Sequence, residues 1–146
     1  MYVQTAITLF NKRLSDDRRE VYFPTCISGA SLFESRSSSH STDGAHSENL
    51  TYKLRIPVDA AVQDDRLYLS EIAYKALTAE AATGHWTLQK GDIVLACATE
   101  LTEPVSEAQL KELAKANLVS VITVKEYADN TIRGSKAVQH WRIGGE

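Results

Sequence analysis

The chain has 146 residues, 43% of them hydrophobic, and a formal charge of -3. That length and apolar content suit one domain, residues 1–146, with one compact core. The acidic balance argues against a protein whose main task is neutralising phosphates, which requires clustered lysine and arginine in excess, and leaves room for a local basic patch on an assembled ring. Two cysteines, Cys26 and Cys97, sit in apolar surroundings outside any metal or CxxC spacing, so buried, reduced thiols are expected. The first twenty residues lack the charged start and continuous apolar stretch of a signal peptide. No window reaches the length of a membrane span, so the chain is expected to be made and used in solution.

In chain order, residues 2–10 alternate loosely and read as a strand, and the charged run 12–20 reads as the turn after it. A second strand resumes at Val21, is interrupted by Pro24, and continues to Phe33 with Gly29 as a bulge. Residues 34–49, ESRSSSHSTDGAHSEN, are poor in large apolar groups and read as a long mobile serine-rich loop that orders on assembly. Tyr52, Leu54, Ile56 and Val58 then alternate with Thr51, Lys53 and Arg55, giving a strand with one core face and one wet face, and Pro57 marks its end or an edge.

Ser70 is placed to cap a short helix with Ile72, Ala73, Ala76 and Leu77 on its inner face. Trp86 and Leu88 alternate with Thr87 and Gln89, and Lys90-Gly91 suggests a tight hairpin returning through Ile93, Leu95 and Cys97. Apolar residues on both faces of that return strand indicate that it is covered on both sides. Ser106 and Gln109 form a capping-box pattern ahead of Leu110, Leu113 and Ala114. Residues 119–127 read as a strand, Asp129-Asn130 as a turn and residues 137–143 as the last strand. The sum is a mainly β fold, a small barrel or sandwich with two short helices and a long loop.

The chemistry in this pattern is sparse. His40, Asp43 and His46 are ligand types for a metal, but their spacing matches no closed site and an unsupported loop does not hold one. Serines beside those histidines lack the rigid nucleophile–base framework of hydrolases, and no GxSxG elbow or phosphate loop occurs. No catalytic residue, metal or cofactor is assigned, and the protein is expected not to be an enzyme. Trp86 and Trp141, each preceded by a histidine, read as core residues. The competing reading is an OB-like barrel that stacks single-stranded nucleic acid on these tryptophans beside Arg133 and Arg142.

Several segments together carry a resemblance: WTLQKGDIVL (86–95), ELAKANLVSVITVKEYADN (112–130), RGS (133–135) and QHWRIGG (139–145), with ITLFNK and KLRIPVD earlier. They resemble a family of small proteins encoded among the late structural genes of phages and prophages of Gram-positive bacteria. The resemblance implies a minor capsid or head-tail connector role, similar to the head-closure proteins of long-tailed phages. It implies a homo-oligomeric ring in the virion, assembled in the host bacterial cytoplasm. The partners would be portal, adaptor or tail components, with room for contact with packaged DNA and no membrane. The expected interface residues are Ser37, Ser39, His40, Asp43 and His46 in the serine-rich segment, with Asn130, Arg133, Ser135 and Lys136 touching a neighbour.

Overall fold

The computed structural model describes residues 2–15, 17–40, 46–132, 134–135 and 138–146, and for residues 2–4, 36–40 and 46–49 it describes the backbone. Six strands close an antiparallel barrel: β1 (Tyr2–Leu14), β2 (Glu20–His40), β3 (His46–Pro57), β7 (Ile93–Leu95), β8 (Ile122–Asn130) and β9 (His140–Gly145). Around the ring the order is β1-β7-β8-β9-β3-β2, and β2 pairs back onto β1. A two-residue strand, β4 (Ala61–Val62), adds to the other edge of β2 at Ile27 and Ser28. Closure removes the unpaired edges that an open sheet would expose.

The barrel interior holds Ile7, Leu9, Ile27, Tyr52, Leu54, Ile56, Val94, Ile122, Val124 and Ile143. The alternation of Tyr52, Leu54 and Ile56 inward with Lys53 outward is as the sequence indicates. Trp86 and Leu88 join the same core from the short strand β6 (His85–Trp86), which pairs in parallel with β5 (Leu67–Tyr68). β7 is buried on both faces, with Val94 in the barrel and Ile93 and Leu95 in a second cluster outside it. That outer cluster is roofed by α3 (Glu107–Ala116), whose Leu110 and Ala114 pack on Phe10, Tyr22 and Leu95. The expected capping box is present: Ser106 accepts from the Gln109 N–H, and the Gln109 side chain accepts from the Ser106 N–H. A third cluster joins Phe23 to Tyr74 of α1 (Glu71–Lys75) and Ala82 of α2 (Ala79–Ala82).

Several local expectations are corrected. Residues 34–40 and 46–49 are paired strand rather than loop: β2 and β3 run as a ladder out to His40 opposite His46, while Asp43 lies outside the described residues. A ladder is held by backbone hydrogen bonds, so a serine-rich composition does not forbid it. The 86–95 segment turns at Gln89 to Asp92, where the Asp92 N–H donates to the Gln89 carbonyl, but its arms diverge to different partners instead of forming a hairpin. Thr87 and Gln89, which alternate with Trp86 and Leu88, are buried as well. In α1 the inner residue is Tyr74, and Ile72 is 85% exposed. Asp129 and Asn130 end β8, so the turn follows them, and β9 begins at His140 rather than at residue 137.

Pro24, expected to interrupt the second strand, does not break β2: it pairs opposite Phe10. Two other expectations hold. Gly29, at φ +90°, sits where the β1–β2 register shifts between Thr5 and Ile7. That shift is a bulge with glycine in the left-handed region. Pro57 ends β3.

Candidate functional site

The strongest structural feature outside the barrel is the distal part of the β2–β3 hairpin. β2 pairs with β1 only as far as Phe33, and β3 pairs with β9 only from Tyr52 onward. From Glu34 to His40, and from His46 to Thr51, the two strands pair only with each other among the described residues. At about 3.3 Å per residue this ribbon projects on the order of 20 Å past the barrel wall. Among the described residues, both of its outer edges present backbone N–H and C=O groups with no ladder partner. Ser37, Ser39, His40 and His46 belong to it.

The second group of expected contact residues lies elsewhere. β3 and β9 pair from Tyr52 opposite Gly145 to Pro57 opposite His140, so the turn joining Asn130 to His140 emerges beyond the Pro57 end, the opposite end from the ribbon. The two groups therefore do not form one site. They are separated by about 17 Å of strand at the usual rise per residue. In that turn Ser135 is exposed and its carbonyl accepts from the Val138 N–H, and Asn130 Nδ2 lies 3.4 Å from His140 Nε2. Arg133 and Lys136 lie outside the described residues. Ile132 and Val138, which the sequence reading passed over, are 81% and 55% exposed and line a groove of about 460 Å³ with Asp129 and Asn130.

A buried polar cluster ties the barrel seam together. Asp92 is fully buried: Oδ1 accepts from the Lys12 N–H at 2.9 Å and from Gln89 Nε2 at 3.1 Å, and Oδ2 accepts from Asn11 Nδ2 at 2.8 Å. Asn11 also donates to the Thr87 carbonyl and accepts from the Thr87 N–H. Burial pushes the Asp92 carboxyl up to about 6, against the pull of the hydrogen bonds from Lys12, Asn11 and Gln89. Above it opens a cleft of about 360 Å³ walled by Lys12 and Glu20, 3.9 Å apart, and by Lys75 and Glu71, 2.9 Å apart. Glu71 also accepts from the Tyr127 hydroxyl, and the hydrogen bond from Lys75 holds its carboxyl below the usual range. Beside the cleft, Arg13 donates to the Tyr74 and Leu77 carbonyls at the end of α1 and lies 4.9 Å from the centre of the Tyr74 ring. Among the described residues, Lys12, Arg13, Glu20, Glu71, Lys75 and Asp92 of the walls thus have partners within the protein. The cluster works as a latch between β1 and the 87–92 turn, and the sequence signalled it only as a Gly-Asp turn.

Trp86 and Trp141 are both buried and meet edge to face at 4.8 Å between ring centres, with Tyr68 closing the trio at 5.0 and 5.1 Å. This trio belongs to the barrel core, which leaves neither tryptophan free to stack a base. His85 Nδ1 lies 3.2 Å from the Leu67 carbonyl and His140 Nδ1 2.8 Å from the Val138 carbonyl, so both histidines flank strand ends. Cys26 and Cys97 are free and half-buried. Among the described residues no group of three or more histidine, cysteine, aspartate or glutamate side chains is placed to hold a metal. No helix there is long and apolar enough to cross a membrane.

Comparison with curated proteins and with solved structures returns no match. A family model does match, over residues 2–146 and so across the barrel, the ribbon and α3 alike. The chain belongs to that family, a family of unknown function designated DUF6751.

Proposed function

We propose that this protein is a structural component of a phage or prophage particle, a ring-forming connector at the head-tail junction that works through protein–protein contacts. The observation that carries the reading is the ribbon, a two-stranded extension with both edges unpaired. An isolated two-stranded ribbon is marginal in water, and natural proteins blunt or cover such edges. Both problems disappear when a neighbouring subunit or a partner packs along the ribbon. Closing a ring requires a heterologous contact, made by two different surfaces of one subunit. The ribbon at one end of the barrel and the Ile132–Val138 groove at the other are two such surfaces. The resemblance to late structural genes supplies the setting, with the virion as destination and portal, adaptor or tail proteins as neighbours.

The test is deletion of the gene in a producing phage, followed by electron microscopy of the particles. Filled heads that leak DNA or fail to join tails are expected, and normal infectious particles would overturn the proposal. In parallel, replacing residues 36–49 by an Asn-Gly turn is expected to leave a folded barrel that no longer forms rings by native mass spectrometry.

A further inference from the structure

The outer face of β3 and β9 carries an unusual register. Leu54, Ile56, Trp141 and Ile143 point into the barrel, so their neighbours Lys53, Arg55 and Arg142 point outward. Arg55 stands directly opposite Arg142, and Lys53 lies two residues along the same face of β3. Side chains directly opposite on one face sit about 5 Å apart at Cβ, where like charges repel. Among the described residues none of the three cations makes an ion pair or side-chain hydrogen bond. The row through both arginines runs from Ser31 on β2 to Ala128 on β8 and holds no carboxylate. In the next row Glu126 rests against Gly144, beside Lys53, and with Glu146 in the adjoining groove two acidic side chains stand beside Lys53, Arg55, Arg142 and Lys125. Lys125 lines the adjoining groove with Lys53, Gly144 and Glu146. In a chain of net charge -3 this concentration of positive charge is a local asymmetry.

We infer that the β3–β9 face is a phosphate-contacting surface for a nucleic-acid backbone, with Arg55 and Arg142 as a paired guanidinium clamp and Lys53 as a flanking charge. A phosphodiester supplies the missing counter-charge, and the guanidinium fork matches its oxygens. Small neighbours, Ser31, Ala128 and Gly144, keep the clamp accessible. An acidic protein partner fits less well, because a protein interface wants a desolvated apolar centre and these rows offer only Phe33 among large apolar side chains. Recognition would be through the backbone and independent of sequence, since Trp86 and Trp141 are buried away from bases. The inference does not depend on ring formation or on a virion setting.

The test is fluorescence anisotropy with labelled single-stranded and duplex oligonucleotides, at about 50 mM and about 200 mM salt, where phosphate contacts weaken steeply. The probes are offered to the native protein, the Arg55→Ser/Arg142→Ser double variant, each single variant, and Lys111→Ser on the opposite, α3-covered side as control. Salt-sensitive binding is expected, with a loss of about tenfold or more in the double variant and a salt slope shallower by about one to two. The control should match the native protein. Because both arginines face solvent, the variants should keep the native melting temperature, and the single variants give a second reading if the double one does not fold. Absence of binding at the lower salt, or binding indifferent to both arginines, would falsify the inference. Binding of polyglutamate that neither oligonucleotide displaces would also overturn it and assign the face to an acidic polypeptide.

Discussion

Burial of the Asp92 carboxylate opposes the hydrogen bonds that fill both of its oxygens, and burial wins: the group is pushed up to about 6 from an ordinary value of 3.8. The folded protein therefore binds more protons than the unfolded chain between those two values. The contribution of Asp92 to stability is full below the lower value and is lost as pH rises through the upper one. Comparing denaturant unfolding of the native protein and Asp92→Asn at about pH 5 and about pH 7 isolates this effect, and about 1 kcal/mol of pH-dependent difference is expected. An equal difference at both pH values would show that Asp92 does not titrate in that window. Tyr74 poses the converse problem. Its ring is fully buried, its hydroxyl has no partner of good hydrogen-bond geometry among the described residues, and burial pushes its ionisation up to about 12 against the opposing pull of the neighbouring Arg13. Removing an unsatisfied buried polar group relieves its desolvation cost, so Tyr74→Phe should be neutral or stabilise the fold by about 1 kcal/mol in thermal unfolding. A loss of more than that would reveal a partner for the hydroxyl. Neither residue stands out in the sequence, because an aspartate after glycine reads as a turn and a tyrosine in a short amphipathic stretch has no fixed side.

Among the elements, α3 was fully legible and α1 only in part, for a reason of length. Ten residues with a capping box and Leu110, Leu113 and Ala114 on one stripe leave one way to bury the helix. Five residues make little more than one turn, so the inner face of α1 is set by what lies beneath it. There Arg13 holds the helix end and Tyr74, with Ile72 turned to solvent. The contrast is measurable: Leu110→Ala should cost about 2–5 kcal/mol by opening a cavity, whereas Ile72→Ala should stay within about 0.5 kcal/mol. Similar costs for both would contradict the assignment of faces. The 86–95 segment was misread for a related reason. Its alternation is real, but Asp92 fastens the turn to β1, and Thr87 and Gln89 are drawn inward to complete the polar cluster.

For the whole molecule, the barrel and the ribbon separate into a body that holds its own core and an extension that adds little to it. The core clusters gather residues from the barrel strands, α3 and the α1–α2 region, and among the residues whose side chains are described, Leu32 and Leu50 near the ribbon base pack against them. Shortening the ribbon should therefore shift the melting temperature by no more than about 2–4 °C, the change that about 1 kcal/mol produces in a domain of this size. Global unfolding of the shortened chain would show that the ribbon is part of the body. The described members of the expected contact set lie at both ends of that body, and the proposed ring would use them apart, because each subunit would present unlike surfaces to its two neighbours.

By itself the sequence determined the class of the fold, the 52–58 strand, the buried β7, the bulge at Gly29 and the capped α3. Each of these rests on a short-range rule: period-two alternation, a run of β-branched residues, a glycine at positive φ, or a side chain that reaches three residues along. Only the tertiary structure decided that residues 34–40 and 46–49 are ribbon, that the arms of the 86–95 turn part company, and that Arg55 faces Arg142. Those outcomes depend on which strand lies beside which. Register between segments distant in the chain is fixed when the barrel closes, and no local pattern of residues encodes it.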